Sequence, residues 1–513
     1  MATRHTRSAR RLPAASIHSL ERLESRACMA GDVTVTVDGG TVRILGDGVA
    51  NQIQVDQVTP DLVRVTGLDG TTVNGQVAAV VPLANRELRI DMKGGDDLLE
   101  TDDFNGQPLI VQRLKIEMGD GEDSVEIDDL QVLGDNAVEI KLARNEASEK
   151  DILSIDNAFF QGNVSVTTGG GDDFVSIDTV EFRKDLTIQA GSGSDDVSVD
   201  DSDVTRDLQI YTSAGDDVVE VFDTDVLRDL KIHTEKGHDT VHAGRSFDYL
   251  AVSRNVDIEG GDGNDTITVA APTSDIVIGG NLTVRGGSGD DDLAVGGGNG
   301  PVTVVGSIGV SGEAGNETVL LEGVSASGVS VEFQDGLSDL RANAVGVTGK
   351  ATFKVGSGVH LVNMHGVKAS EVLLEYLKGK TTANMTAVTA GALTIKTGDQ
   401  ADLVDLRHSA VRSFFAELGK GADVLTAYQV SSNKTEIDAG AGDDTINLAN
   451  YLVFSGNGLN GDLTIRGRKG NDRMTLSVVG AASAVFDGGD GNDTLEEVNT
   501  LFGAKTVKNI EVT

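Results

Sequence analysis

Four consecutive segments of this chain align without gaps at a period of 22 residues. They read Val164-Ser-Val-Thr-Thr-Gly-Gly-Gly-Asp-Asp173, Leu186-Thr-Ile-Gln-Ala-Gly-Ser-Gly-Ser-Asp195, Leu208-Gln-Ile-Tyr-Thr-Ser-Ala-Gly-Asp-Asp217 and Leu230-Lys-Ile-His-Thr-Glu-Lys-Gly-His-Asp239. Each is followed by a short apolar alternation such as Val197-Ser-Val199 or Val219-Glu-Val221. With the last Asp as a register mark, the series extends both ways: Asp97, Asp123, Asp151, Asp173, Asp195, Asp217, Asp239, Asp265, Asp291, Glu317, Ser338, His360, Thr381, Asp402, Asp423, Asp444, Asp472, Asp493. These are 18 marks and 17 intervals; 11 intervals are 21 or 22 residues and the others 26 or 28. Units this short cannot bury a face alone, so they must stack on their neighbours.

Within a unit the apolar residues recur at period two, as in Leu186, Ile188, Ala190, then Val197 and Val199, then Val204. That is the strand signature. The expected fold is all-β: a single parallel β-solenoid, most simply a right-handed β-helix of about 18 coils, with a two-sheet β-roll as the alternative. At ~4.8 Å per coil the rod is roughly 85 Å long. A narrow core suits small inward residues and the absence of Trp. Residues 31–90 fit the register less well and read as capping strands or degenerate coils, and residues 91–513 as the solenoid.

Charge narrows the function. Asp and Glu number 81 against 42 Lys and Arg, a net charge of −39, which argues against nucleic-acid binding. A single Cys excludes a disulfide-stapled domain. The longest uncharged apolar run, residues 77–84, contains a Pro and is too short to span a bilayer. The acidity is not uniform: acidic blocks at about 91–317 and 396–513 flank a basic centre. Residues 340–395 hold six Lys or Arg and two Glu.

The turn before each mark reads Gly-x-Gly-x-Asp in its best copies: Gly260-Gly-Asp-Gly-Asn-Asp265, Gly286-Gly-Ser-Gly-Asp-Asp291, Gly440-Ala-Gly-Asp-Asp444 and Gly488-Gly-Asp-Gly-Asn-Asp493. This resembles the Gly-Gly-x-Gly-x-Asp calcium-binding repeat of RTX and hemolysin-type proteins. Ca²⁺ wants six to eight oxygens, glycines let carbonyls face a turn, and the Asp adds a carboxylate. The resemblance implies calcium ligands at Asp97, Asp123, Asp173, Asp195, Asp217, Asp239, Asp265, Asp291, Asp402, Asp423, Asp444, Asp472 and Asp493. RTX repeats place the motif about every nine residues. Here it comes once per coil on one edge, which implies weak binding around 10⁻⁴–10⁻³ M. The marks Glu317, Ser338, His360 and Thr381 interrupt the acidic series, so calcium should skip them and form two blocks.

A second series, Asn163, Asp185, Asp207, Asp229, Asn255, Asn281 and Asp462, precedes the first strand of its coil and reads as a structural corner ladder. Lys184, Arg206 and Arg228 stand beside three of these Asp residues. The corner lengthens after Asp97, Asp239, Asp265, Asp291 and Asp444. Phe104, Phe247, Tyr249, Pro272, Tyr451 and Phe454 fall in the insertions, and exposed aromatics on one edge suit a glycan or a surface protein.

Residues 1–30 differ from the rest: six Arg, two Glu, no Asp and no apolar h-region. Leu20-Glu21-Arg22-Leu23-Glu24-Ser25-Arg26-Ala27-Cys28 resembles the LEPR-XLL-type segment that opens many planctomycete surface and secreted proteins. That implies an export-associated segment outside the fold and an extracellular or cell-surface location. The rival reading is a carbohydrate-active β-helix enzyme, a polysaccharide lyase or hydrolase. Its carboxylates must stand apart at a defined spacing, whereas these are regular. His233, His238, His242, His360 and His365 are scattered, and no Ser-His-Asp or Cys-His motif accompanies them. The expected role is a calcium-binding structural or adhesive solenoid, not an enzyme.

Overall fold

The structure, a computed structural model, describes residues 31–102, 106–144, 149–244, 249–270, 275–297, 300–453 and 461–512. The basic N-terminal segment with Cys28, and Phe104, Phe247, Pro272 and Phe454, lie outside them.

Among the described residues there is no helix, and the chain winds as a parallel β-solenoid. One coil consists of strands Val164–Gly170, Phe174–Asp178 and Glu181–Phe182. The next consists of Leu186–Ser192, Asp196–Asp200 and Asp203–Val204. Each strand pairs in parallel with its counterpart 22 residues on: Val164 with Leu186, Val175 with Val197, Phe182 with Val204. The sequence period is therefore the hydrogen-bonding register itself. Three strands per coil make a three-faced helix, not a two-sheet roll.

Alternate side chains of most strands enter one continuous core. Ile188, Ile210, Ile232 and Ile258 stack in a fully buried column, and Phe160 lies on Phe182 with ring centroids 5.3 Å apart. Apolar residues of similar size on successive coils fill a narrow interior, as close packing favours.

The entry differs. Asp32–Asp38 pairs antiparallel with Thr41–Leu45, and Leu62–Gly67 pairs antiparallel with both Gln52–Thr59 and Ala78–Pro82. Thr41–Leu45 and Gln52–Thr59 then start the parallel stack against Glu87–Asp91 and Leu98–Thr101. In the centre, by contrast, the strands run on through the corner as Lys350–His365 and Lys368–Thr386. The Gly-Asp turn has faded there, and nothing interrupts pairing between Ser357 and Lys378 or Gly358 and Gly379.

A second corner lies six residues after the register mark. Thr179, Asp201, Asp223, Ala344, Ala387, His408, Gln429, Asn450 and Val478 all have φ between +41° and +58° there. This conformation normally favours Gly or Asn, so side-chain chemistry gives only a partial signal for it.

Candidate functional site

The register carboxylates do not project from the turn. All fourteen Asp marks are at most 3% exposed. The Gly-rich turn bends the chain so that its closing Asp points inward, below the loop. Within each acidic block one Oδ1 accepts the backbone N–H of the previous mark: Asp173 N–H donates to Asp195, Asp195 to Asp217, Asp217 to Asp239, at 2.8–2.9 Å. The first link is Asn51 N–H to Asp97 at 2.7 Å. The chain runs on to Asp291, resumes from Thr381 N–H to Asp402 at 2.6 Å, and ends at Asp493. Sequence reasoning placed these residues in one ladder. Their inward direction, and their use as N–H acceptors between coils, were not foreseen.

The second oxygen is the chemically open one. Oδ2 of every one of these Asp residues is buried without a protein hydrogen-bond partner. Burial is the largest influence on the acids from Asp97 to Asp472. It pushes Asp123, Asp151 and Asp195 up to about 8 and Asp97, Asp265, Asp423 and Asp444 up to about 7. Asp217, Asp291 and Asp472 rise to about 6. Accepted hydrogen bonds oppose the rise, and nearby carboxylates add to it. A carboxylate taken out of water favours its neutral form.

The residue five before each mark shapes the space around Oδ2. Where it is Thr, a hydroxyl sits beside the acid and restrains the rise of Asp173, Asp217, Asp239 and Asp402. Thr168 Oγ1 also donates to Ala190 O, and Thr397 Oγ1 to Leu418 O, both at 2.6 Å. Where it is Gly, the corner is open. A methyl group on Gly260 would collide with both Asp265 Oδ2 and Gly286 O; on Gly467, with Asp472 Oδ2 and Gly488 O; on Gly488, with Asp493 Oδ2 and Asn509 O. A carboxylate oxygen and a carbonyl oxygen of the next coil thus converge on one point. Two acceptors facing each other need a proton or a cation between them.

Among the described residues no three His, Cys, Asp or Glu side chains group closely enough to hold a metal by themselves. An ion in this ladder would need backbone carbonyls as well. The glycine corners offer them, so the donor set fits a hard cation that prefers oxygen.

A second, exposed ladder runs beside the first in the opposite sense. The residue just before the mark gives its side-chain acceptor to the following coil: Ser194 N–H donates to Asp172, His238 N–H to Asp216, Asp290 N–H to Asn264 and Asn316 N–H to Asp290, all at 2.8 Å. His238 takes part through Nδ1, which accepts Asn264 N–H at 2.9 Å. Two adjacent N–H groups of each turn are thereby satisfied, one forward and one back.

Both ladders fail in the centre. The exposed one ends at Leu337, whose N–H reaches Asn316 at 3.0 Å and whose own side chain accepts nothing. Inside, Glu317 leaves both carboxyl oxygens without a partner. Ser338 Oγ meets His360 Nδ1 at 3.0 Å, and His360 packs against Tyr376 at 5.9 Å. Burial lowers the His360 pKa, which favours the neutral ring. Ser338 and His360 are successive register marks, so the repeat sets them on adjacent coils; their hydrogen bond is what the structure adds.

The corner ladder of Asn163, Asp185, Asp207, Asp229, Asn255, Asn281 and Asp462 is structural in kind. Asp207 N–H donates to Asp185, Asp229 N–H to Asp207, Asn255 N–H to Asp229 and Asn281 N–H to Asn255, at 3.0–3.3 Å. Arg206 and Arg228 each reach back one coil, to Asp185 at 3.8 Å and Asp207 at 3.4 Å. Lys184 pairs instead with Asp135, at 2.6 Å. Of the insertion aromatics, Tyr451 is fully buried and bonded to Thr435 Oγ1 at 2.8 Å, so it serves the core and not a partner. Tyr249 is 37% exposed.

Compared with protein-family models and with curated proteins, the chain matches none. Fold and site define its class: a β-solenoid repeat protein with an interior carboxylate ladder. Among the described residues, no helix is long and apolar enough to cross a membrane.

Proposed function

We propose that this protein is a calcium-responsive structural or adhesive rod acting outside the cell or at its surface. The observation that supports this reading most is the row of buried, unpartnered Oδ2 atoms, which at the glycine corners face a carbonyl of the next coil. A divalent cation shared between coils would satisfy both oxygens and offset the desolvation of the carboxylates. Such an ion binds only the folded form and stabilises it by mass action. The likeness of the turn to RTX repeats points the same way, and so does the basic opening segment for location. A structural role suits carboxylates that are equivalent along the rod, where an enzyme would need two that are distinct.

The test is a calcium titration of the full chain at pH 8, followed by melting and by terbium luminescence. Binding in the millimolar range and a melting temperature that falls on adding chelator are expected. No binding at millimolar Ca²⁺, with melting unmoved by chelator, refutes the reading. Antibody labelling of intact cells tests the location.

A further inference from the structure

We infer that the outer face of the coils at residues 164–213 is a binding site for a neutral glycan lying along the rod. A cleft of about 450 Å³ opens there, floored by Gly169 and Gly191 and walled by Thr167, Gln189 and Tyr211. That volume falls within the range of small-ligand sites. The two glycines let the coils approach closely there: a methyl group on Gly191 would collide with Gly169 O. Tyr211 forms the aromatic wall. Its hydroxyl donates to Gln209 Oε1 at 3.2 Å, and Lys231 Nζ lies 5.1 Å from its ring centroid, so the ring is held before any ligand arrives.

The second observation is chemical. On either side the outward positions of the same sheet carry charged side chains, Lys231 of the adjoining coil among them. Toward the N-terminus Lys115 bridges Glu117 and Glu139 at 3.1 and 3.0 Å, and Arg89 pairs with Glu87 at 2.8 Å. Toward the C-terminus Arg285 bridges Asp257 and Glu259 at 2.6 and 3.1 Å. Between them, on Val164–Gly170, Leu186–Ser192 and Leu208–Tyr211, the outward side chains are Ser165, Thr167, Thr187, Gln189, Gln209 and Tyr211. Hydroxyl, amide and phenol groups replace charge for three coils in a chain of −39. Hydroxyls and amides exchange hydrogen bonds with sugar hydroxyls, and an aromatic face covers the apolar side of a pyranose ring. Lys231, the cation nearest the window, is engaged over the Tyr211 ring. Of the residues lining the cleft only Arg144 and Glu235, at its two ends, are charged, and Arg144 is already paired with Asp91 at 2.7 Å.

The inference does not rest on calcium, because the cleft lies outside the interior ladder. Affinity electrophoresis of the full chain tests it. The gels would contain hydroxyethyl cellulose, laminarin, galactomannan or dextran as neutral probes and polygalacturonate as the anionic one. Retardation by at least one neutral polymer and not by polygalacturonate is expected. Tyr211→Ala should weaken it about ten-fold while Tyr211→Phe retains it, both with wild-type melting temperature because the ring faces outward. Retardation by no neutral polymer, equal retardation by polygalacturonate, or unchanged binding by Tyr211→Ala would each overturn the assignment.

Discussion

The acidic blocks and the centre of this rod share a backbone and differ in what fills one interior position. In the blocks each coil accepts an N–H from its neighbour through an Asp and leaves a second oxygen open. In the centre the position passes through Glu317, Ser338, His360 and Thr381, and the strands run straight through the corner. Hydrophobic stacking and ladder pairing suffice to continue the fold without carboxylates. The Asp series therefore does something stacking alone does not require, and under the proposed function it is the part of the rod that a cation would address.

The sharpest way to break this comparison is to remove an acceptor. Asp217→Leu leaves the buried Asp195 N–H unpaired and should cost about 2–3 kcal/mol. Ser338→Ala in the centre should cost about 1 kcal/mol, since it loses one neutral hydrogen bond. Chemical denaturation of both variants at pH 7 checks the ordering.

Next in size is pH. The ladder acids from Asp97 to Asp472 have folded pKa values raised above the ordinary 3.8, to about 6–8 where the rise is large. The folded state thus binds more protons than the unfolded chain between these limits. Its ion-free stability is full near pH 4 and is lost as pH rises through about 6–8. Melting in chelator should be higher at pH 5 than at pH 8, and added Ca²⁺ should close the gap mainly at pH 8. A flat profile would show that the acids ionise freely.

A smaller effect separates charge from hydrogen bonding. Asp265→Asn keeps an acceptor for Asp239 N–H and offers an amide donor toward Gly286 O. At pH 8 without calcium it should raise the melting temperature by a few degrees, equivalent to about 1 kcal/mol. It should also reduce the calcium response. Smallest of all, Asp216→Ala exposes His238 N–H to water and should cost under about 0.5 kcal/mol by the same denaturation assay.

Much of this was legible in the sequence because one period governs everything. The 22-residue spacing between Asp173 and Asp195 is both the sequence repeat and the hydrogen-bond register, so fold and ladder followed from arithmetic. Direction did not. Whether the Asp closing a Gly-rich turn faces water or core depends on backbone bends at glycines such as Gly193 and Gly215, whose φ values are +127° and +144°. Composition is silent on that choice. Tyr451 misled for a related reason: it lies in an insertion, where aromatics tend to be exposed, yet Ser432 and Thr435 give its hydroxyl a buried partner. The Ser338–His360 contact and the Tyr211 cleft join residues about one coil apart. The register already sets Ser338 and His360 on adjacent coils, but their contact and the cleft appear only once the coils are stacked.

Hydrogen–deuterium exchange at pH 8, with and without calcium and resolved by coil, tests the central claim most directly. The account predicts added protection in coils carrying Asp97 to Asp291 and Asp402 to Asp493, and none in those carrying Ser338 to Thr381. Protection spread evenly along the rod, or concentrated in the centre, would contradict it.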